Sequence, residues 1–178
     1  MKDNNFFELF GLEVQFELNE SELTSRYRSL QSQVHPDKFA NATEKERLLS
    51  VQKAALVNDA YQTLKSPLIR TKYILSLHGI MLDDEQTTTL MDPGFLMEQM
   101  ELRESLSAIK NASNPESLLD DIYNTIDNKE QKLISSIRLK LEIASKESLE
   151  DTANYVRELQ FFQKLKEETE QLEAELDL

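Results

Sequence analysis

The stretch NESELTSRYRSLQSQVHPD, residues 19–37, decides how the first part of the chain folds. Its apolar side chains recur every three or four residues, which places them on one face of a helix. These side chains are Leu23, Tyr27, Leu30 and Val34. Asn19 is a favourable N-cap residue and Glu22 follows three positions later, while Leu18 and Leu23 occupy the positions of a hydrophobic staple. The pattern predicts a helix that begins just after Asn19.

A loop and a second helix follow. Pro36 has no amide hydrogen to donate and disfavours helical geometry at the residue before it, so the first helix must stop there. Residues 38–42 are predicted to form a loop. A Thr-x-x-Glu capping box at Thr43 then opens a helix that continues to about Leu64. The tripeptide His-Pro-Asp, residues 35–37, therefore lies at the tip of a loop between two capped helices.

The segments around this tripeptide give it a specific context. FFELFGL at residues 6–12 precedes the first helix, NDAYQTL at 58–64 closes the second, and PLIRTKY at 67–73 follows. Together they resemble a J domain, the module that J-type co-chaperones use to stimulate the ATPase of a DnaK-class chaperone. The resemblance covers roughly residues 4–77. The tripeptide alone recurs by chance, whereas the tripeptide with these flanking segments is a strong signal.

The rest of the first half is also predicted to be helical. A short helix runs from about Asn5 to Phe10 and stops at Gly11, and a further helix begins at Pro67 and stops at Gly79. On the helix that ends near residue 64, the predicted apolar face comprises Leu48, Val51, Ala55, Asn58 and Leu64, with Tyr61 near it.

The composition favours an all-α protein. The 178 residues include only 3 Gly and 4 Pro, with no Cys and no Trp, and such a composition suits helices. Without Cys there are no disulfide bonds or thiolate metal sites, and we expect no cofactor. The first five residues contain neither an apolar signal core nor an Arg-rich transit pattern, and no apolar run approaches the length of a membrane span. We therefore expect a cytoplasmic protein.

The charge of the chain is unevenly distributed. The net charge is -13 at pH 7. Residues 1–77 hold ten basic and ten acidic residues, whereas residues 78–178 hold ten basic and 23 acidic residues. Such a shift indicates a domain boundary, and an acidic half argues against binding of nucleic acid. We expect a J domain in residues 1–78, a linker in 79–91 and a second domain in 92–178.

Three helices are predicted in the second domain, each from a start signal. The start signals are Asp92-Pro93, Asn114-Pro115, and Ser148 with Asp151. The helices are expected to end near Ile109, Ala144 and Leu176. Long helices joined by short loops predict a compact antiparallel three-helix bundle.

The first helix of this bundle carries two apolar arcs. At about 100° per residue, its core stripe comprises Phe95, Leu102, Leu106 and Ile109. Leu96, Met97 and Met100 lie on a second arc roughly opposite, among charged residues. An apolar patch directed away from the core often marks an interaction surface, and methionines suit an adaptable contact. The alternative is that the bundle wraps this helix and buries both arcs.

The last predicted helix repeats this arrangement. Its broad apolar face comprises Tyr155, Leu159, Phe162, Leu165 and Leu172. Phe161 lies at the shoulder of that face, beside Arg157 and Lys164. A residue at this position is either a second exposed contact or a part of the core.

A J domain followed by an acidic three-helix bundle resembles the HscB family over nearly the entire chain. The likeness includes HPDKF at residues 35–39, LSLHG at 75–79 and FLMEQMELRE at 95–104. HscB proteins are J-type co-chaperones of iron–sulfur cluster assembly, and their bundle binds the cluster scaffold IscU through an apolar patch. The scaffold-binding residues that the resemblance implies are Leu96, Met97, Met100, Glu101, Arg103, Glu104 and Phe161.

The resemblance also implies the partner of the J domain. The domain would dock on the ATP state of the DnaK-class chaperone HscA and stimulate hydrolysis, so that the chaperone clamps IscU and cluster transfer is promoted. Many J domains carry more Lys where this chain has Gln31, Ser32 and Gln33, which suits one specialised chaperone. The implied chaperone-binding residues are His35, Pro36, Asp37, Arg26, Arg28 and Lys38. We expect a monomer that performs no catalysis itself.

The sequence is also compatible with other functions. The chain could be a J-type co-chaperone for a different client or for a general DnaK-class chaperone, or it could dimerise through the same apolar patch. His35 and Asp37 could form an acid–base pair, but no nucleophile motif accompanies them. A metal site at His35 and His78 would have no Cys ligand to complete it.

Overall fold

The computed structural model describes residues 5–39, 42–82 and 92–177, and the regular elements in these ranges are all helices. The chain divides into two compact units, Met1–His78 and Gly79–Leu178. Most of the predicted linker lies outside the described residues. The predicted all-α class is confirmed.

The first unit contains four α-helices within the described residues. They are α1 (Phe6–Leu9), α2 (Glu20–Val34), α3 (Glu44–Lys65) and α4 (Pro67–Leu77). Asn19 caps α2 by accepting a hydrogen bond from the amide of Glu22 (3.1 Å), and the capping box of Thr43 with Glu46 opens α3, as predicted. The apolar core comprises Phe7, Phe10, Phe16, Leu23, Val57, Ala60, Leu64, Leu68, Ile74 and Leu75.

A pair of stacked tyrosines holds α2 against α3. The ring centroids of Tyr27 and Tyr61 lie 4.1 Å apart. The Tyr27 hydroxyl donates a hydrogen bond to Asn58 Oδ1 (2.9 Å), and the Tyr61 hydroxyl lies 3.2 Å from Thr24 Oγ1. These contacts fix which side of α3 faces α2.

The predicted apolar face of α3 is wrong. Of that face only Leu64 is buried, whereas Leu48, Val51 and Ala55 are exposed. The helix carries apolar residues on two sides, so periodicity alone does not say which side is buried. The opposite side of α3 faces the core, and the small side chain of Ala60 lies fully buried there.

The second unit contains three helices within the described residues. They are α5 (Pro93–Ile109), α6 (Pro115–Ile143) and α7 (Lys146–Glu175), which form the predicted three-helix bundle. The largest fully buried side chains of this bundle are Ile109, Ile126, Ile137, Val156, Leu159, Phe162 and Leu165. Every helix of the unit therefore contributes to one apolar core.

The helix α7 begins three residues before the predicted start. Ser145 is its N-cap and accepts a hydrogen bond from the amide of Ser148 (3.1 Å). Ser148 itself is buried in the first turn, where its hydroxyl donates to the carbonyl of Ser145 (3.0 Å). Both residues are of a type that caps helices. The cap falls at Ser145 because α6 already ends at Ala144, whose left-handed φ of 49° turns the chain.

Candidate functional site

The His-Pro-Asp tripeptide forms a turn directly after α2, which we call the HPD turn (residues 35–39). Pro36–Phe39 is a short 3₁₀ helix, and the amide of Lys38 donates a hydrogen bond to the carbonyl of His35 (3.0 Å). The segment is thus more regular than the predicted loop, because the fixed φ of proline suits the first position of a helical turn. The side chains of His35 and Asp37 are exposed to solvent.

His35 and Asp37 contact each other at the surface. The amide of Asp37 donates a hydrogen bond to His35 Nδ1 (3.3 Å), and Asp37 Oδ2 lies 3.5 Å from the same nitrogen. A neutral imidazole accepts from the amide at this atom, whereas a protonated imidazole donates from it to the carboxylate. Both side chains face water, without the burial that tunes catalytic groups. The arrangement therefore favours a contact surface over an acid–base catalytic pair.

The three predicted chaperone-binding cations have different surroundings. Arg26 donates through Nη1 to the carbonyls of Phe10 (2.6 Å) and Gly11 (2.5 Å). Its guanidinium therefore forms hydrogen bonds with the backbone that follows α1. The sequence did not indicate this structural role. Arg28 and Lys38 are exposed. The predicted positive surface thus rests on these two side chains more than on Arg26.

Three apolar side chains of α5, namely Leu96, Met97 and Met100, form an exposed surface that we call the α5 patch. Their exposed fractions are 37%, 64% and 72%, respectively. On the other side of the helix, the buried residues of the predicted core stripe are Phe95, Leu106 and Ile109. The predicted exposure of the second arc is confirmed, and the alternative that the bundle buries both arcs is wrong.

Charged residues surround the α5 patch. Glu101 and Glu104 are exposed. Arg103 Nη2 lies 3.6 Å from Glu168 Oε1, and the guanidinium carbon of Arg103 lies 5.5 Å from the ring centroid of Phe161. Arg103 is therefore held against α7, while the two glutamates make the rim of the patch acidic.

Phe161 belongs to the core, which decides between the two alternatives that its place at the shoulder of the α7 face left open, and it does not fit the exposed scaffold contact that the resemblance implied. Its side chain is 7% exposed. The ring packs edge-on against Phe95, with 5.6 Å between the centroids, and against Phe162, with 5.2 Å. The helical wheel alone could not choose between burial and exposure, because α7 packs against both α5 and α6 and buries a wider arc than one stripe. These three rings form an aromatic cluster where α5 meets α7.

One half-buried carboxylate was not indicated by the sequence. Burial raises the pKa of Glu158, and the negative charges of Glu98 and Asp92 raise it further. The positive charge of Lys129 acts in the opposite direction but does not cancel this rise. Lys129 Nζ also forms an ion pair with Glu98 Oε1 (2.5 Å). No sequence signal marked Glu158, because charged residues are frequent along the whole of α7.

Metal and membrane sites find no support in the part of the chain that the structure describes. No group of three or more His, Cys, Asp or Glu side chains there is placed to hold a metal ion. No helix in the same residues is long and apolar enough to cross a membrane. His78 is the C-cap residue of α4 and is exposed.

Comparison with known proteins decides the family. The co-chaperone protein HscB homologue of Aliivibrio fischeri (strain MJ11) is 47% identical to this chain over 172 residues, which are 97% of this chain and 98% of that protein. This chain belongs to the HscB co-chaperone family. The HscB homologue of Vibrio atlanticus (strain LGP32) is 49% identical over the same shares of the two chains.

Two family models match successive parts of this HscB family member. A DnaJ domain model matches residues 5–73, which contain the HPD turn. A model described as the HSCB C-terminal oligomerisation domain matches residues 91–170, which contain the α5 patch. HscB proteins are thus J-type co-chaperones, a class whose partner is a DnaK-class chaperone, and the relatives are named as co-chaperones.

Solved structures of HscB proteins share this fold. Chaperone HscB from Vibrio cholerae matches with a TM-score of 0.86 at 44% identity, over 97% of this chain and 99% of that chain. Human co-chaperone protein HscB matches with a TM-score of 0.89 at 28% identity, over 100% of this chain and 85% of that chain. The fold is therefore shared with HscB proteins that are 44% and 28% identical to this chain.

Proposed function

We propose that this protein stimulates the ATPase of HscA, a specialised DnaK-class chaperone, and delivers the scaffold IscU to it, which promotes iron–sulfur cluster transfer. The observation that carries the proposal is the presence of two exposed surfaces of different character. One unit presents the charged HPD turn, and the other presents the apolar α5 patch. Membership of the HscB family supports both assignments.

The chaperone would bind the HPD turn. His35, Pro36 and Asp37 supply its tip, and Arg28 and Lys38 supply positive charge nearby. The exposed carboxylate of Asp37 is available to a partner arginine, and such a charge-assisted pair is strong once desolvated. The short 3₁₀ helix orders this segment before docking, which reduces the entropy lost on binding. Arg26 would contribute indirectly, by holding the backbone that follows α1.

The scaffold would bind the α5 patch. Interfaces commonly have an apolar centre and a polar rim. Leu96, Met97 and Met100 supply the centre, and the acidic rim of Glu101 and Glu104 would select a partner with basic residues around an apolar contact. Arg103 and Phe161 would support the patch from the α7 side, Phe161 as a buried neighbour and not as a contact residue.

The two functions would be divided between the two halves of the chain. We propose residues 1–78 as the chaperone-activating J domain, 79–91 as the connection and 92–178 as the scaffold-binding bundle. Joining two weak binding sites in one chain raises the effective concentration of the scaffold at the chaperone. The protein would thus act as an adaptor, and the chemistry would belong to its partners.

Calorimetric titration with IscU tests the scaffold half of this proposal. The triple variant Leu96→Ala/Met97→Ala/Met100→Ala is expected to bind at least about tenfold more weakly than the wild type, because a few residues near the centre of an interface typically carry most of its binding energy. The matched control is Leu139→Ala/Ile143→Ala, which removes exposed apolar side chains of α6 outside the patch. Circular dichroism and melting confirm that each variant is folded.

Two results would contradict the assignment. If the wild type does not bind IscU, the iron–sulfur client is wrong and the chain is a J-type co-chaperone for a different client. If the control variant loses binding as strongly as the patch variant, the α5 patch is not the binding surface.

We also propose that the protein is a monomer. The alternative is a dimer formed through the α5 patch, and the description of the C-terminal family model refers to oligomerisation. Sedimentation at increasing concentration separates the two states, because a patch dimer gains mass with concentration and the triple patch variant does not. A constant monomer mass is the expected result.

A further inference from the structure

Two of the three α5 patch residues carry an oxidisable sulfur. Met97 and Met100 are 64% and 72% exposed and lie three residues apart, so both thioethers are accessible on one face of α5. The chain has no Cys, which leaves methionine as its only sulfur-containing residue. An oxidant in solution therefore meets sulfur in the middle of a proposed protein-binding surface.

We propose that Met97 and Met100 form a reversible oxidation site that switches off binding of the scaffold; the consequence for binding rests on the proposed function. In the reaction a lone pair of the thioether sulfur attacks one oxygen of hydrogen peroxide. The O–O bond breaks and an S–O bond forms. The sulfur is oxidised by two electrons to the sulfoxide, and the other oxygen leaves with both hydrogens as water. Methionine sulfoxide reductases reverse the change.

The physical effect is a change of polarity at the centre of the patch. A methionine thioether is apolar and adapts its shape to a partner, whereas a sulfoxide carries a strong hydrogen-bond acceptor. Binding of the scaffold would bury that oxygen without a designed donor, and burial of an unpaired polar group is unfavourable. The same exposed side chains that suit binding therefore make binding sensitive to peroxide.

The fold itself is expected to survive this oxidation. The aromatic cluster of Phe95, Phe161 and Phe162 lies in the core next to the patch and contains no sulfur. Both sulfurs project outward from α5, so the sulfoxide oxygens remain in water when no partner is bound. Oxidation would then remove the interface and leave the bundle intact.

The chain also contains an internal comparison. Met81 is 79% exposed and lies after α4, outside the α5 patch. Its exposed fraction is larger than those of Met97 and Met100. If exposure alone governs oxidation, all three sulfurs react, but only two of them alter binding of the scaffold. The remaining methionines, Met1 and Met91, lie outside the described residues.

The test is a titration with IscU before and after treatment of the full chain with hydrogen peroxide, with peptide mass spectrometry to locate each sulfoxide. The oxidised wild type is expected to bind at least about tenfold more weakly, an effect of the size produced by burying an unpaired polar group. Treatment with methionine sulfoxide reductases should restore binding. The melting temperature should change little.

Two variants assign the effect. Met97→Leu/Met100→Leu conserves volume and apolar character and removes both oxidisable sulfurs from the patch, so the affinity that this variant has for IscU before peroxide should be the same after it. Met81→Leu should lose binding on oxidation as the wild type does. The inference is overturned if oxidised wild type with sulfoxides at Met97 and Met100 binds as before, or if the double variant still loses binding. Failure of the reduced wild type to bind IscU is a separate result, which overturns the proposed function first.

Discussion

Arg26 shows how a side chain that was predicted to bind a partner can hold the fold together. The helix α1 has only four residues, and the guanidinium donates to the carbonyls of Phe10 and Gly11 just after it. Gly11 has a φ of +63°, and a Cβ added there would lie 3.1 Å from Arg26 Nη1. A side chain at position 11 would therefore crowd the Arg26 guanidinium. Arg26 also pairs with Glu22 one turn earlier on α2 (2.5 Å).

We expect Arg26→Ala to lower the free energy of unfolding of the first unit by about 1–3 kcal/mol, because hydrogen bonds from a charged donor are lost. Unfolding in urea, followed by circular dichroism, measures this change. Arg28→Ala is the control, since it removes an exposed arginine from the same helix and should alter stability by less than about 0.5 kcal/mol. Equal losses in the two variants would show that Arg26 is an ordinary surface residue.

Glu158→Gln is expected to raise the melting temperature at about pH 7. Burial holds the pKa of Glu158 above its ordinary value of 4.5, so between the two values the folded protein binds more protons than the unfolded chain. Stability therefore falls as the pH rises through this window. The difference in melting temperature between the variant and the wild type should shrink as the pH is lowered towards about 4, because Glu158 then becomes protonated in the unfolded chain as well as in the folded protein.

The control for this experiment is Glu167→Gln, which makes the same change of charge at an exposed position of α7. Melting temperatures of both variants are compared with the wild type across the acidic range. If the two variants respond alike, general repulsion among the 33 acidic residues explains the effect and burial of Glu158 does not.

Residue spacing indicated the α5 patch as one of two alternatives, but it did not indicate the role of Arg26 or decide that of Phe161. Leu96, Met97 and Met100 lie away from the core stripe of their own helix, and the angle between residues of one helix follows from their spacing in the sequence. Arg26 binds a carbonyl sixteen residues away, and Phe161 is covered by a different helix. Such contacts depend on tertiary packing, which the spacing of residues does not encode.

At the scale of single elements, the α6 terminus retains some strain. Ala144 is the C-cap residue of α6 and adopts a left-handed φ of 49°. Residues with a Cβ rarely adopt this conformation, and glycine adopts it readily. The strained position is compensated because it allows Ser145 to cap α7 directly afterwards.

We predict that Ala144→Gly stabilises the second unit by about 0.5–1 kcal/mol, since relief of the left-handed strain exceeds the added freedom of the unfolded chain. Thermal melting measures the difference. Ala108→Gly is the matched control, because Ala108 is exposed within α5 and glycine there should destabilise the helix. Destabilisation by both substitutions would mean that Ala144 carries no strain.

Helix boundaries were more predictable than helix faces. The cap residues Asn19 and Thr43 act on amides within three residues of themselves, so sequence alone indicated where α2 and α3 begin. The buried side of α3 depends on Tyr27 of α2, which is distant in sequence. Periodicity indicated a helix there and selected the wrong side of it.

At the scale of the whole molecule, the adaptor proposal predicts that each surface contributes separately to stimulation of HscA. Steady-state phosphate release by HscA is measured with the full-length protein, with and without IscU. His35→Gln is expected to abolish stimulation under both conditions. The triple α5 patch variant should retain the stimulation seen without IscU and lose the further increase that IscU produces.

The control is again Leu139→Ala/Ile143→Ala, which should behave as the wild type in both conditions. Equal stimulation of a general DnaK-class chaperone would contradict specialisation for HscA. If His35→Gln still stimulates HscA fully, the HPD turn is not the docking site.

The exposed α5 patch has a further consequence, for the behaviour of the protein at high concentration. An exposed apolar surface attracts other copies and unrelated proteins. The excess of acidic residues in the same half of the chain opposes such encounters by mutual repulsion. The range of this repulsion is only about 8 Å at physiological ionic strength, and it decreases as salt is added. The tendency to aggregate should therefore increase with salt, and concentrated solutions of the protein are best kept at low ionic strength.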